Sequence, residues 1–99
     1  MLEKTIERKV CEYARSKGIL AYKFSSPAHM GVPDRMFITP VGTVFFIEFK
    51  APGKKPTPVQ TREIARLTEY KQDVYVVDQV ELGKLVVDCC LNGWASCAT

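Results

Sequence analysis

The sequence predicts an α/β fold in which helices flank the faces of one mixed β-sheet. Short runs of β-branched and aromatic residues alternate with longer amphipathic segments, and Pro and Gly separate them. Residues 73–78 form a run apolar enough to be covered on both faces, as in a parallel sheet. The predicted order is α-β-β-β-α-β-α. We expect residues 1–93 to form a single domain and residues 94–99 to be a tail.

Composition and charge exclude some classes of protein but do not identify a function. The 99 residues carry a formal net charge of +3, which permits a polyanionic partner but does not require one. No apolar run approaches the ~20 residues of a membrane span, and the N-terminus lacks the apolar region of a signal peptide. The four cysteines show no CxxC spacing, which argues against a zinc site. Cys89 and Cys90 complete an apolar helical stripe, so we expect them to be buried thiols, whereas Cys97 in the tail could be exposed. A soluble, cytoplasmic protein with no membrane partner is predicted.

The first helix is predicted over residues 3–17, with Gly18 as its stop. Glu7 falls at the margin of the apolar stripe rather than on the solvated face. One interpretation gives Glu7 a role in chemistry, and the other makes it an ordinary ion-pair partner of nearby basic side chains. Residues 19–24 then form the first strand.

A β-hairpin follows, and the rest of the chain is organised around it. Its strands are predicted over residues 36–39 and 43–47, and residues 40–42 form a three-residue loop. Gly42 takes the left-handed position that such a loop requires.

The hairpin predicts a cluster of charges at its open end. Counting outward from Val41 places Asp34 opposite Glu48, and residues directly opposite share a sheet face. Lys50 lies two residues beyond Glu48 on that face. Two carboxylates so placed repel each other, and a divalent cation would remove the repulsion.

Two polar loops adjoin this cluster. The loop before the hairpin and the segment 51–56 after it carry donors suited to phosphate oxygens. These donors are Lys23, Ser25, Ser26, His29, Lys54 and Lys55. Ordinary solvated turns explain the serines and lysines nearly as well. His29 could also act as a general base, although a lone loop histidine is more often incidental.

The second helix has a strong start signal. Thr57 is the predicted N-cap, Pro58 occupies N1, and Gln60 at N3 closes a capping box. The box explains Gln60 without any function, yet Gln60 also lines up with the inward face of the helix. Glu63 is predicted to face solvent. The last helix is predicted over residues 80–92.

Four blocks of sequence carry a family resemblance. They are GVPDR at 31–35, FIEFKAPG at 46–53, TPVQ at 57–60 and YVVD at 75–78. With these blocks the chain resembles the VRR-NUC (virus-type replication-repair nuclease) family, in its small stand-alone phage and bacterial type. That family belongs to the PD-(D/E)xK superfamily, so the resemblance implies a restriction-endonuclease-like core. It extends from about residue 3 to residue 87.

The resemblance implies roles for the residues of the hairpin cluster. Asp34, Glu48 and the backbone carbonyl of Phe49 would bind Mg²⁺ or Mn²⁺, since hard oxygen ligands are what Mg²⁺ prefers. Lys50 would position the attacking water and stabilise charge on the phosphate. Gln60 matches the family's glutamine, so it joins the catalytic set.

The resemblance also implies an acidic residue on the first helix. Glu7 fits best, with Glu3 in reserve, and a third carboxylate would allow a second metal ion. Arg35 and Arg62 join the predicted DNA-binding set.

The implied activity is that of a Mg²⁺- or Mn²⁺-dependent endonuclease that hydrolyses phosphodiester bonds in structured DNA. Small members resemble Holliday-junction resolvases, which act as dimers, so we predict a homodimer cutting branched DNA. Its place would be the cytoplasm of a bacterial cell or phage-infected host. Alternatives are a flap- or structure-specific nuclease or an exonuclease of the same fold, a non-catalytic nucleic-acid-binding module, and an interaction domain with an ion-pair cluster.

Overall fold

The computed structural model describes residues 1–92 and contains three helices and four strands in the predicted order. The elements are α1 (Glu3–Ser16), β1 (Leu20–Lys23), β2 (Arg35–Ile38), β3 (Val44–Phe49), α2 (Pro58–Glu69), β4 (Asp73–Val77) and α3 (Val80–Leu91). The predicted tail, with the predicted exposed thiol of Cys97, lies outside the described residues.

The four strands form one mixed sheet in the order β1-β2-β3-β4. The first three strands are antiparallel, and β4 pairs in parallel with β3. Arg35 stands opposite Ile47, and the Thr39 N–H donates to the Thr43 carbonyl at 2.9 Å. Gly42 has a φ of +89°. The predicted loop and register of the hairpin are therefore confirmed.

One face of the sheet packs against α1 and α3 to form the main core. Phe37, Phe45, Ile47 and Phe49 are fully buried there, because alternate residues of a strand point to the same face. The helices α1 and α3 approach each other closely at Gly83, where a Cβ atom would collide with a side chain of α1. Of the two thiols predicted to be buried on the last helix, Cys90 is buried and Cys89 is only half-buried. Cys11 on α1 is buried as well.

The opposite face of the sheet carries α2 and is covered less completely. The predicted capping box of α2 is present: Thr57 Oγ1 accepts from the Gln60 N–H, and Gln60 Oε1 accepts from the Thr57 N–H. Val76 on β4 is 36% exposed. The prediction that β4 is covered on both faces is thus wrong, because β4 is an edge strand that α2 covers only in part. No helix within residues 1–92 is long and apolar enough to cross a bilayer.

Candidate active site

Asp34 and Glu48 lie one register position beyond the last hydrogen-bonded pair of the hairpin. Both therefore point to the α2 face, since their neighbours Arg35 and Ile47 point to the other. Asp34 Oδ2 accepts a 2.8 Å hydrogen bond from the Phe49 N–H. This bond ties the end of β2 to the end of β3 and fixes the Asp34 carboxylate beside Glu48.

Glu48 is a buried carboxylate whose two oxygens have different surroundings. The residue is only 2% exposed. Its Oε2 accepts from Gln60 Nε2 at 2.8 Å and lies 3.5 Å from Lys50 Nζ. Its Oε1 is buried and has no hydrogen-bond partner. A buried carboxylate oxygen without a partner is costly, so the arrangement favours a ligand at Oε1.

The electrostatics of the pair favour protonation when no cation is present. Burial, followed by the negative charge of Asp34, raises the pKa of Glu48 to about 7, while the Lys50 ammonium acts in the opposite direction. Burial also raises the pKa of Asp34, against the effect of the hydrogen bond from Phe49. A bound cation would reverse both shifts, because it stabilises the ionised form of each carboxylate.

The donor set fits a hard divalent cation that keeps several waters. Within residues 1–92, no group of three or more His, Cys, Asp and Glu side chains converges as a metal site. Asp34 and Glu48 would supply two carboxylates, and the Phe49 carbonyl would supply a third oxygen. Phe49 stands opposite Pro33 in the continued register, and proline has no N–H to offer the Phe49 carbonyl. Two carboxylates, one carbonyl and waters are an arrangement typical of Mg²⁺.

Glu7 reaches the edge of this cluster but is held by cations. Its Oε2 accepts from Arg35 Nε at 2.6 Å and lies 3.8 Å from Lys23 Nζ. Its charge contributes to the raised pKa of Asp34, and the charge of Glu3 contributes to that of Glu48. Two acidic residues of α1, Glu3 and Glu7, therefore approach the site. A role for Glu7 at a second metal ion stays a prediction.

Comparison with known proteins places the chain in a family. No family model matches it. It is 45% identical over 84 residues to a protein named "Putative nuclease p44" from Acyrthosiphon pisum secondary endosymbiont phage 1, a match covering 85% of this chain and 90% of that protein. A solved structure titled "VRR_NUC domain" superposes with a TM-score of 0.81 and 29% identity, over 87% of this chain and 94% of the other. The chain belongs to the VRR-NUC family.

Several predicted DNA-binding side chains of this VRR-NUC protein are exposed near the site. Lys54, Lys55 and Ser25 are exposed in the loops on either side of the hairpin, and Ser26 is half-buried. The Lys23 side chain is 72% exposed at the end of β1. These positions are compatible with contacts to a phosphate backbone.

Two of the predicted DNA-binding residues are engaged elsewhere. Arg35 is half-buried and bound to Glu7, as described above. His29 Nε2 lies 2.6 Å from Glu63 Oε1, so this histidine joins its loop to α2.

Arg62, also predicted to bind DNA, is exposed and lines a neighbouring surface pocket.

The predicted solvent-facing position of Glu63 is wrong. Glu63 is 9% exposed because the loop before β2 folds over this part of α2. The helical spacing contained a signal for this position, since Glu63 follows Gln60 by three residues and precedes Leu67 by four. Glu63 therefore shares the inward row of α2 with both.

Proposed function

We propose that this VRR-NUC chain is a Mg²⁺- or Mn²⁺-dependent nuclease that hydrolyses phosphodiester bonds in DNA. The observation that carries the proposal is the buried Glu48 Oε1 atom, which lacks a partner while Gln60 and Lys50 engage the other oxygen. Family membership supports nuclease activity, and the hard oxygen donors support the choice of metal.

Each side chain of the cluster has a defined part in this mechanism. Asp34, Glu48 and the Phe49 carbonyl would hold the ion, which when bound supplies Lewis-acid activation and charge neutralisation. Gln60 fixes the orientation of Glu48 by its hydrogen bond to Oε2. Lys50 lies at the boundary between the buried carboxylate and solvent, with its side chain 14% exposed. From there its ammonium meets the phosphate and stabilises the charge that develops on its oxygens.

The reaction is the attack of water on phosphorus. A new bond forms from the water oxygen to phosphorus, the bond from phosphorus to the 3′ oxygen breaks, and the leaving 3′ oxygen takes up a proton. The role of Lys50 is to orient the attacking water and to stabilise the phosphate as charge accumulates.

The proposed substrate is branched DNA, cut within the strand by a homodimer. Strand β1 lies at the edge of the sheet, and its Leu20 and Tyr22 side chains are each half-exposed, which offers a surface for a second copy. The phage relative is in keeping with action in the cytoplasm of a bacterial cell or infected host. A flap-specific nuclease or an exonuclease remains the second candidate.

The test is incubation with labelled four-way junction, flap, single-stranded and linear duplex DNA, with and without Mg²⁺ or Mn²⁺. We expect internal cuts in the junction that require metal and disappear in Asp34→Asn. Binding without cleavage in every metal would instead identify a nucleic-acid-binding module. An interaction domain would neither bind these DNAs nor respond to the metal. Light scattering on the same preparation would measure the oligomeric state.

A further inference from the structure

A second cluster of charge lies beside the candidate active site, between α1 and strands β1 and β2. It is a pocket of about 340 Å³, near the lower end of the roughly 300–1,000 Å³ typical of ligand pockets. Five cationic side chains line it: Lys4, Arg8, Arg15, Lys23 and Arg35. We call it the α1 pocket.

The α1 pocket concentrates the positive charge of the chain. Against its five cations it contains one carboxylate, that of Glu7, which leaves four positive charges in excess. The formal net charge of all 99 residues is +3, so the rest of the sequence sums to −1. Clustered charge of one sign in a concave site attracts ligands of the opposite sign.

Glu7 does not cancel this attraction. Its carboxylate is bound by Arg35 at 2.6 Å and approached by Lys23 at 3.8 Å. These contacts fix the Arg35 and Lys23 side chains in the pocket and neutralise its single negative charge. Lys4, Arg8 and Arg15 are left to meet an anion.

Arg15 and Arg8 differ in how firmly they are held. Arg15 Nη2 donates to the Ala21 carbonyl at 3.1 Å, which orients the guanidinium over β1 and leaves its other N–H groups to bind. Arg8 makes only an exposed ion pair with Glu12 at 3.3 Å, a contact of the kind that contributes little. An incoming phosphate can therefore recruit Arg8 at small cost.

We propose that the α1 pocket binds a second phosphate of the DNA strand that is cleaved, next to the scissile phosphate. The proposal rests on the nuclease function proposed above. Arg35 directly follows Asp34 in the chain, and Lys23 stands opposite Arg35 across β1 and β2. Asp34 and Arg35 point to opposite faces at the same end of the sheet. A strand that passes around this end, with its scissile phosphate over Asp34 and Glu48, would therefore bring a neighbouring phosphate to this pocket. The pocket would fix the register of the strand, with Lys4, Arg8 and Arg15 as its new contacts.

The experiment replaces single phosphates by neutral methylphosphonates. A labelled four-way junction is prepared with one such linkage at a time around the branch point, and binding is measured in EDTA so that no strand is cut. In the natural chain we expect one linkage near the cleavage position to weaken binding by about fivefold, the upper end for an exposed charge contact.

The decisive comparison uses Lys4→Gln/Arg8→Gln and the control Lys9→Gln/Lys17→Gln. The control removes two charges outside the pocket, one on α1 and one at the residue that follows it. We expect the pocket variant to bind more weakly and to lose sensitivity at that one linkage. Its salt dependence should flatten by about 0.9 log units per log unit of salt for one phosphate lost. The control should keep the sensitive linkage. No sensitive linkage in the natural chain, or an unchanged profile in the pocket variant, overturns the proposal.

Failure of the pocket and failure of the nuclease give different results. If the pocket variant loses the sensitive linkage but the natural chain never cuts DNA, phosphate binding at the α1 pocket is supported and nuclease activity is refuted. If the natural chain cuts DNA in a metal-dependent way but both double variants give the same methylphosphonate profile, nuclease activity is supported and phosphate binding at the α1 pocket is refuted.

Discussion

Gln60 bonds Glu48 with one end of its amide and closes the capping box of α2 with the other. Its Nε2 donates to Glu48 Oε2 at 2.8 Å, and its Oε1 accepts from the Thr57 N–H at 2.9 Å. The start of α2 and the buried carboxylate of β3 are thereby fixed to each other by one side chain. Stability and site geometry are coupled at this residue, and suitable substitutions separate them.

Gln60→Glu should impair the site while preserving the cap. Glutamate at N3 closes a capping box as well as glutamine does, but it places a second carboxylate against Glu48 and removes the donor. We expect cleavage to fall by about 10²-fold, within the range for loss of a preorganised donor. Single-turnover cleavage of a junction in Mg²⁺ measures the effect.

Thr57→Ala is the matched control for that experiment. It removes the side-chain cap and should cost about 1 kcal/mol of stability with little change in rate below the melting temperature. If Gln60→Glu cuts at the parental rate, the bond to Glu48 has no part in catalysis.

Gly31→Ala tests how tightly the loop before β2 lies against α2. Gly31 and Gly42 both have a φ of +89°, where an L side chain costs roughly 1–2 kcal/mol. A Cβ at Gly31 would also lie 2.9 Å from the Val59 carbonyl oxygen, whereas one at Gly42 meets nothing within 4 Å. Chemical denaturation should therefore show Gly31→Ala to be less stable than the control Gly42→Ala. The further loss should be ~1–3 kcal/mol, the cost of overpacking. Equal losses would mean that the loop yields freely at Val59.

The parts of the site that depend on local pattern could be predicted from the sequence. The hairpin loop sets the register by counting, so the placement of Asp34 opposite Glu48 followed from two short apolar runs and a glycine. The capping box at Thr57 was equally local, because a cap is formed by residues three positions apart.

The parts that depend on tertiary partners could not be predicted. The partner of Glu7 is Arg35, 28 residues away, and the partner of His29 is Glu63, 34 residues away. Neither pairing follows from spacing, because each arises only when a helix and a loop are packed on the finished sheet. The concentration of five cations in the α1 pocket was hidden for the same reason.

Glu48 predicts how stability without metal depends on pH. Its pKa is raised from 4.5 to about 7 in the folded protein, so folding favours the protonated form. The resulting stability is fully present below pH 4.5 and is lost as the pH rises through about 7. At about 1.36 kcal/mol per pKa unit, the loss amounts to about 3 kcal/mol.

Glu48→Gln, which cannot ionise, isolates this effect. In EDTA the unfolding free energy of the variant, relative to the natural chain, should rise by about 3 kcal/mol between pH 4.5 and pH 8. Mg²⁺ should stabilise the natural chain but not Glu48→Gln, and it should therefore reduce the difference between their unfolding free energies at pH 8. Glu69→Gln, an exposed carboxylate at the end of α2, should show no comparable trend. A flat difference for Glu48→Gln would mean that the buried carboxylate is not destabilised by ionisation.

Lys50→Met is the substitution on which the proposed mechanism depends. Methionine keeps the aliphatic stem of a side chain that is 14% exposed, and it removes the ammonium 3.5 Å from Glu48 Oε2. Because the proposed mechanism uses that ammonium to stabilise charge on the phosphate, its loss should lower the cleavage rate by about 10²- to 10³-fold. Lys50 also lowers the pKa of Glu48, so the cleavage rates of the two chains are compared over a range of pH up to 8.5. Calorimetric titration with Mn²⁺ should show that metal binding survives, since both carboxylates remain, and Lys9→Met on the exposed side of α1 should cut DNA normally. A folded Lys50→Met variant that cuts a four-way junction at the parental rate would contradict the mechanism.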